Sequence, residues 1–99
     1  MSRPADRAMS DLTALPEIGP VVAGQLIAVG IENAGQLRAC GAADAFMRIR
    51  TELDPGACIH LLLALEAAIQ GVRTTALDPA VRQDLRDWFR SLEPVSDGG

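Results

Sequence analysis

Residues 55–70 read PGACIHLLLALEAAIQ, and their apolar side chains fall on most sides of a helix. The stretch is rich in leucine and alanine, which favour helices, and it lacks the strict alternation of a half-buried strand. A helix that is apolar nearly all round packs among other helices. The stretch therefore predicts a central helix from Pro55 to Gln70, preceded by Asp54 as its cap and ended by Gly71.

Capping signals on both sides of this stretch predict further helices. Asn or Asp before a helix, proline at its first position and glycine after its last turn mark helix boundaries. These signals predict helices over residues 11–15, 20–29, 34–40, 42–51 and 79–92. The last of them carries an apolar stripe at helical spacing, formed by Val81, Leu85, Trp88, Phe89 and Leu92. The predicted fold class is all-α, with five or six short helices around the central apolar helix.

The length of 99 residues fits one domain. Polar and flexible residues at the two ends predict a disordered lead-in at residues 1–9 and a flexible tail at residues 94–99. A single helical domain is expected between them, at residues 10–93. The longest apolar run is too short to cross a bilayer, and no apolar leader follows Met1. The sequence therefore predicts a cytoplasmic protein that does not contact a membrane.

The turn between the first two predicted helices carries the most informative motif, Leu15-Pro16-Glu17-Ile18-Gly19-Pro20. It resembles the turn of a helix-hairpin-helix motif, whose Gly-apolar-Gly loop brings backbone N–H groups close to a phosphate. Here Glu17 stands where the first glycine is usual, and Val21 and Val22 stand where basic residues are common. Three interpretations stay open: a turn that only packs two helices, a nucleic-acid contact, and a protein-docking edge.

A second candidate surface is a stripe of arginines at helical spacing in the last predicted helix: Arg82, Arg86 and Arg90. Asp84 and Asp87 lie nearby in the sequence, so a solvated face and a partner-binding or nucleic-acid edge both remain open. Three further arginines extend the stripe only if the fold brings them close: Arg38, Arg48 and Arg50. The net charge of −4 argues against a broad nucleic-acid surface, because such binding depends on neutralising phosphates.

Residues suited to catalysis or metal binding form no recognisable motif in the sequence. His60 is the only histidine and lies in the most apolar predicted helix, which favours an edge or hydrogen-bonded role over that of a general base. Cys58 and His60 are two residues apart and would point to opposite sides of a helix, so they are not expected to bind one metal ion. Glu66 is expected to pair with Arg48 or Arg73, or to belong to a recognition site. The sequence predicts no enzyme, no cofactor and no metal.

The order of several landmarks resembles a known family. The turn motif is followed by Gly30-Ile31, Leu37-Arg38-x-x-Gly41-Ala42, Ala45-Phe46-x-Arg48-Ile49-Arg50 and Cys58-x-x-Leu61-Leu62-x-Ala64-Leu65-Glu66. In this order, over Leu12–Leu92, they resemble the C-terminal domain of the TfoX/Sxy family of bacterial DNA-transformation (competence) regulators, in its stand-alone form. The resemblance implies an all-helical domain with a regulatory role. Longer members of the family promote expression of DNA-uptake genes, in some bacteria together with the cyclic AMP receptor protein.

These observations predict a non-enzymatic regulatory module that acts through protein–protein interaction. The alternative is a nucleic-acid-binding module that uses the hairpin and the arginine stripe. Self-association is a further hypothesis, because a chain this small and apolar can need a second surface to cover exposed aliphatic side chains.

Overall fold

The structure is a computed structural model that describes residues 4–92 and the side chains of residues 7–92. Within these residues, the fold consists of α-helices and one 3-10 turn. The helices are α1 (Pro4–Thr13), α2 (Pro20–Ala28), α3 (Ala34–Glu52), α4 (Ile59–Gln70) and α5 (Pro79–Ser91). The 3-10 turn, Thr74–Ala76, lies between α4 and α5. Residues 4–92 contain no strand, so the predicted all-α class is confirmed.

Side-chain caps set the start of two helices where the sequence predicted them. Asn33 Oδ1 accepts a hydrogen bond from the Gln36 N–H at 2.8 Å before α3. Asp78 Oδ1 accepts one from the Ala80 N–H at 2.8 Å before α5. Each bond satisfies a backbone donor that has no partner within its own helix.

Helix α3 joins two segments that the sequence predicted as separate helices. Gly41, the predicted stop between them, has φ 85° and ψ 162°, which are not helical values. Glycine reaches this conformation without the clash that a Cβ would cause. The chain therefore bends at Gly41 and then continues as helix to Glu52.

Helix α1 begins earlier than predicted, because it spans Pro4–Thr13 and not residues 11–15. Residues 4–9 of the predicted lead-in are therefore helical, and the buried side chains of Ala8 and Leu12 lie one turn apart on this helix. Asp11 was expected in the first turn of the helix, but it lies near the end. Its Oδ2 accepts a hydrogen bond from the Ala34 N–H at 2.7 Å, so it caps α3 instead. Residues 1–3 and the predicted tail at 94–99 lie outside the described residues.

Helix α4 begins later than predicted, at Ile59 and not at Pro55. Asp54 Oδ1 accepts a hydrogen bond from the Gly56 N–H at 3.1 Å, and the Asp54 carbonyl accepts one from the Ala57 N–H at 3.0 Å. Aspartate and glycine favour such local turns over helix. The turn therefore occupies the residues after Asp54, and the helix starts only beyond it.

The larger of two hydrophobic clusters among the described residues joins the helices. Fully buried side chains of four helices belong to the same cluster: Leu12, Leu26, Phe46, Ile49, Leu62 and Leu65. Helix α4 packs against α3, the 3-10 turn and α5, whereas α1 packs chiefly on α2, and α2 also contacts α3. The predicted central helix thus organises the C-terminal part of the chain, and α3 links it to the α1–α2 hairpin.

Helix α5 covers the core without a fully buried residue of its own. Trp88 and Phe89 meet Phe46 of α3 edge-on, with ring centroids 6.1 Å and 5.7 Å apart. Leu85 and Leu92 also pack against the core. Most of the predicted apolar stripe therefore rests on the core, including Phe46, and Arg86 and Arg90 remain exposed.

Candidate functional site

The turn between α1 and α2 places its left-handed backbone on a glutamate. Glu17 has φ 66°, whereas Gly19 is extended, with φ −90° and ψ −179°. Residues other than glycine seldom adopt positive φ, because their Cβ crowds the neighbouring carbonyl oxygen. Glu17 therefore takes the strained conformation at the position where the helix-hairpin-helix motif usually has its first glycine.

The Glu17 carboxylate is held by residues far along the chain. Its Oε2 accepts hydrogen bonds from the Thr74 backbone N–H, at 3.1 Å, and from the Thr74 hydroxyl. Its Oε1 lies 3.6 Å from Nη1 of Arg73. Since Glu17 and Thr74 are separated by 57 positions, these contacts, named here the Glu17 latch, tie the hairpin turn to the 3-10 turn.

The latch favours the ionised form of Glu17. The hydrogen bond from the Thr74 hydroxyl, and next that from the Thr74 N–H, lower the pKa of the Glu17 carboxyl below its ordinary value of 4.5. Partial desolvation opposes this shift, and the charge of Arg73 adds to it. Hydrogen bonds donated to a carboxylate stabilise its charged form. The carboxylate is therefore engaged by Thr74 and Arg73 of the same chain, although its side chain stays partly exposed.

The outward side of the same turn is apolar. Gly19, Pro20 and Val21 are exposed, and Val21 leaves 75% of its surface accessible. We name these three residues the hairpin corner. It carries no basic side chain of its own, and basic side chains are what usually add charge beside a phosphate.

Two of the three predicted stripe arginines line a groove on α5. Arg86 and Arg90 border it together with Phe89 and with Ile59 of α4, and its volume is about 280 Å³. We name it the Phe89 groove. Arg82 lies on the same helix but does not line the groove.

The fold brings one of the three additional arginines to this region. Arg50 of α3 places its Cζ 5.7 Å from the centroid of the Phe89 ring. Arg48 instead pairs with Asp44 at 3.2 Å within α3, and Arg38 Nε donates to the Ile69 carbonyl at 3.4 Å. Sequence reasoning could not select Arg50 among the three, because only the packing of α3 against α5 distinguishes them.

The comparison with known proteins identifies the family. Residues 8–89 match the TfoX C-terminal domain. The chain belongs to the TfoX C-terminal domain family. Protein Sxy of Escherichia coli (strain K12) is 38% identical over 66 residues, which cover 67% of this chain and 31% of Sxy. The chain thus spans under a third of the length of this relative.

Solved structures support the same fold. An uncharacterized protein from Listeria monocytogenes, in a triclinic crystal form, is 40% identical and superposes with a TM-score of 0.80, covering 82% of this chain and 91% of that chain. A protein of unknown function from Listeria monocytogenes, in a tetragonal form, is 39% identical with a TM-score of 0.78, over 86% and 99% of the two chains. The match to the TfoX C-terminal domain includes the Glu17 latch and Phe89, and it ends one residue before Arg90.

The TfoX C-terminal domain family is regulatory and not a known enzyme family. In this member, Cys58 precedes α4 and is not inside it, so its Sγ lies 3.7 Å from His60 Nδ1. The expectation that the two side chains point to opposite sides was therefore wrong. No group of three or more His, Cys, Asp or Glu residues suited to a metal ion occurs among the described residues. Burial raises the pKa of the Cys40 thiol, which makes that cysteine a poor nucleophile.

The predicted pairing of Glu66 with an arginine was also wrong. Glu66 Oε2 accepts a hydrogen bond from Gln70 Nε2 at 2.6 Å, one turn along α4. The two arginines considered for it, Arg48 and Arg73, pair with Asp44 and Glu17 instead.

No helix within residues 4–92 is long and apolar enough to cross a membrane.

Proposed function

We propose that this protein is a non-enzymatic, cytoplasmic module of competence regulation that works by binding another protein. The family supports the regulatory role, because its longer members regulate DNA-uptake genes. A protein contact is the simplest route by which such a domain influences regulation.

The observation that carries this proposal is the chemistry of the hairpin turn, where a carboxylate is engaged within the chain and an aliphatic side chain is exposed. A phosphate-binding turn needs free backbone donors and nearby cations. In this turn the residue at the usual glycine position is a glutamate whose carboxylate is engaged by Thr74. The exposed side chain that follows Pro20 is Val21, and an exposed aliphatic side chain suits contact with an apolar protein surface.

A native pull-down with matched variants tests the proposal. The tagged chain is compared with Val21→Glu and with Leu53→Glu, which changes a second large exposed hydrophobic residue, at the end of α3. We expect a specific protein to be recovered with the wild type and with Leu53→Glu, and to be lost with Val21→Glu. Equal recovery with all three chains would remove the hairpin corner from the proposal. Recovery of no specific protein, together with tight DNA binding, would overturn the proposal itself.

Nucleic-acid binding is the second candidate, and the arginines of the Phe89 groove favour it. It predicts binding that weakens with salt, weakens in Arg86→Ala and strengthens in Glu17→Gly. Electrostatic binding is strongest at low salt, so a fluorescence titration with duplex DNA at about 50 mM salt is decisive. The absence of binding there would end this candidate.

A further inference from the structure

We propose that the Phe89 groove docks an acidic peptide segment of a partner protein. An apolar side chain of the segment lies on Phe89 and Ile59, and its carboxylates pair with Arg86 and Arg90. The proposal rests on the protein-binding function above but concerns a different surface from the hairpin corner.

The shape and lining of the groove suit a short segment with mixed chemistry. Its volume of about 280 Å³ lies between an aromatic ring, an isoleucine and two guanidinium groups. Phe89 and Ile59 are only half-buried, so they present apolar surface to whatever enters. Burial of that surface supplies affinity, while the guanidinium groups select the charge of the segment.

The cations at the groove lack partners within the described part of the chain. Arg86 and Arg90 are exposed and one helical turn apart, where like charges repel each other. No carboxylate of residues 7–92 forms an ion pair with either of them. Asp87, the acidic neighbour of Arg86, accepts a hydrogen bond from Gln83 Nε2 at 2.9 Å. Carboxylates of a docked segment would relieve this repulsion and form charge-assisted hydrogen bonds.

Arg50 adds a third positive charge beside the groove. Its guanidinium lies over the Phe89 ring, which holds it in place through a cation–π contact. Its Nη1 is shielded from solvent and has no hydrogen-bond partner among the described residues. The charge of Arg50, in this partly desolvated position, adds to the attraction between the groove and a carboxylate.

An acidic peptide fits these features better than a nucleic acid does. Nucleic acid is a dense polyanion, and the chain as a whole carries a net charge of −4. A peptide brings only a few carboxylates, in the fork geometry that arginine pairs with, and it can also place an apolar side chain on Phe89. A phosphate backbone has no such side chain for the groove floor.

The test is a fluorescence-anisotropy titration of the whole chain with a labelled peptide of Asp-Asp-Leu repeats at low salt. We expect saturable binding that weakens about tenfold in the double variant Arg86→Ala/Arg90→Ala. Arg82→Ala is the matched control, since Arg82 lies on the same helix outside the groove, and we expect its binding to equal that of the wild type. A peptide of Asp-Asp-Ser repeats should bind more weakly, and one of Lys-Lys-Leu repeats should not bind.

Three results would overturn the proposal. They are absence of binding of the Asp-Asp-Leu peptide, equal binding by the double variant, and tighter binding of a labelled DNA oligonucleotide that the double variant loses. The last result would reassign the groove to nucleic acid. Because this experiment uses purified protein and synthetic probes, its failure leaves the pull-down at the hairpin corner to decide the proposed function separately. Circular dichroism of each variant confirms that its helices are intact.

Discussion

The hairpin turn and the α5 surface both carry charged side chains, and the fold treats them in opposite ways. At the turn, the Glu17 carboxylate accepts hydrogen bonds from the backbone N–H and the hydroxyl of Thr74. On α5, Arg86 and Arg90 stay at the surface without an ion-pair partner among residues 7–92. A charged residue in a binding-like motif is thus a poor guide to a binding surface, because a residue elsewhere in the same chain can already be bound to that charge. The charges that remain unpaired are the better candidates.

The two regions also differ in how they depend on the core. The hairpin corner lies at the start of α2. Helices α1 and α2 hold it in place, because their side chains Leu12 and Leu26 are fully buried. Helix α5 has no fully buried residue and depends on Phe46 of α3 through Trp88 and Phe89. The α5 surface is therefore expected to be lost before the hairpin turn when the core is damaged.

The largest expected effect comes from Phe46→Ala. Phe46 is fully buried, and its removal leaves a cavity beneath both aromatic residues of α5. The free energy of unfolding should fall by about 3–5 kcal/mol, measured by urea denaturation followed by circular dichroism. Trp88 fluorescence should also shift towards that of an exposed indole. A loss below about 1 kcal/mol would contradict the place given to Phe46, since that is an ordinary surface effect.

Substitutions at Glu17 separate the stability that the Glu17 latch contributes from the stability that the strained backbone costs. Glu17→Ala loses the hydrogen bonds to Thr74 and keeps the positive φ, whereas Glu17→Gly loses the bonds but removes the strain. We therefore expect the melting temperature to fall by several degrees in Glu17→Ala and to fall less in Glu17→Gly. If alanine were as stable as glycine at this position, the left-handed conformation of Glu17 would be in doubt.

Acid should weaken the hairpin region through the same carboxylate. The folded state lowers the pKa of Glu17 below 4.5, so the latch stabilises the fold fully above that pH and loses this contribution as the pH falls through the lower folded pKa. Thermal melts between neutral pH and acid should show a smaller acid loss for Glu17→Gln than for the wild type. Parallel curves for the two proteins would contradict the latch, whereas Arg86→Ala should follow the wild type.

The smallest expected effect is on the stability of α5 variants. Arg86→Ala removes an exposed side chain with no ion-pair partner within residues 7–92 and relieves the repulsion from Arg90. Its free energy of unfolding should change by no more than about 0.5 kcal/mol. We expect a small rise, because the repulsion between Arg86 and Arg90 is removed. A clear destabilisation in urea denaturation would show that Arg86 has a structural role, which would weaken the contrast between the two regions.

Local patterns predicted most of the secondary structure correctly. The caps Asn33 and Asp78, the prolines that begin α2 and α5, and the bend at Gly41 depend on interactions between residues close in sequence. The starts of α1 and α4 were wrong for physical reasons. Burial of Ala8 and Leu12 extended the first helix, and the turn at Asp54 shortened the other.

The contacts that define the candidate surfaces could not be predicted in the same way. Glu17 meets Thr74 across most of the chain, and Arg50 meets Phe89 only because α3 and α5 pack together. A pattern of spacing contains information about one helix face but not about which distant face lies opposite. The sequence identified Arg86 and Arg90 as candidates, yet it could not tell that Arg82 lies outside the groove or that Arg48 is paired.

The sequence by itself determined the all-α class, most of the helix boundaries and the place of the turn between α1 and α2, because propensity, capping and apolar periodicity act over a few residues. Only the tertiary structure decided which charged side chains already have a partner within the chain. The contact of Glu17 with Thr74 and the exposed arginines beside Phe89 follow from side chains brought together from remote positions, where packing selects one partner among many.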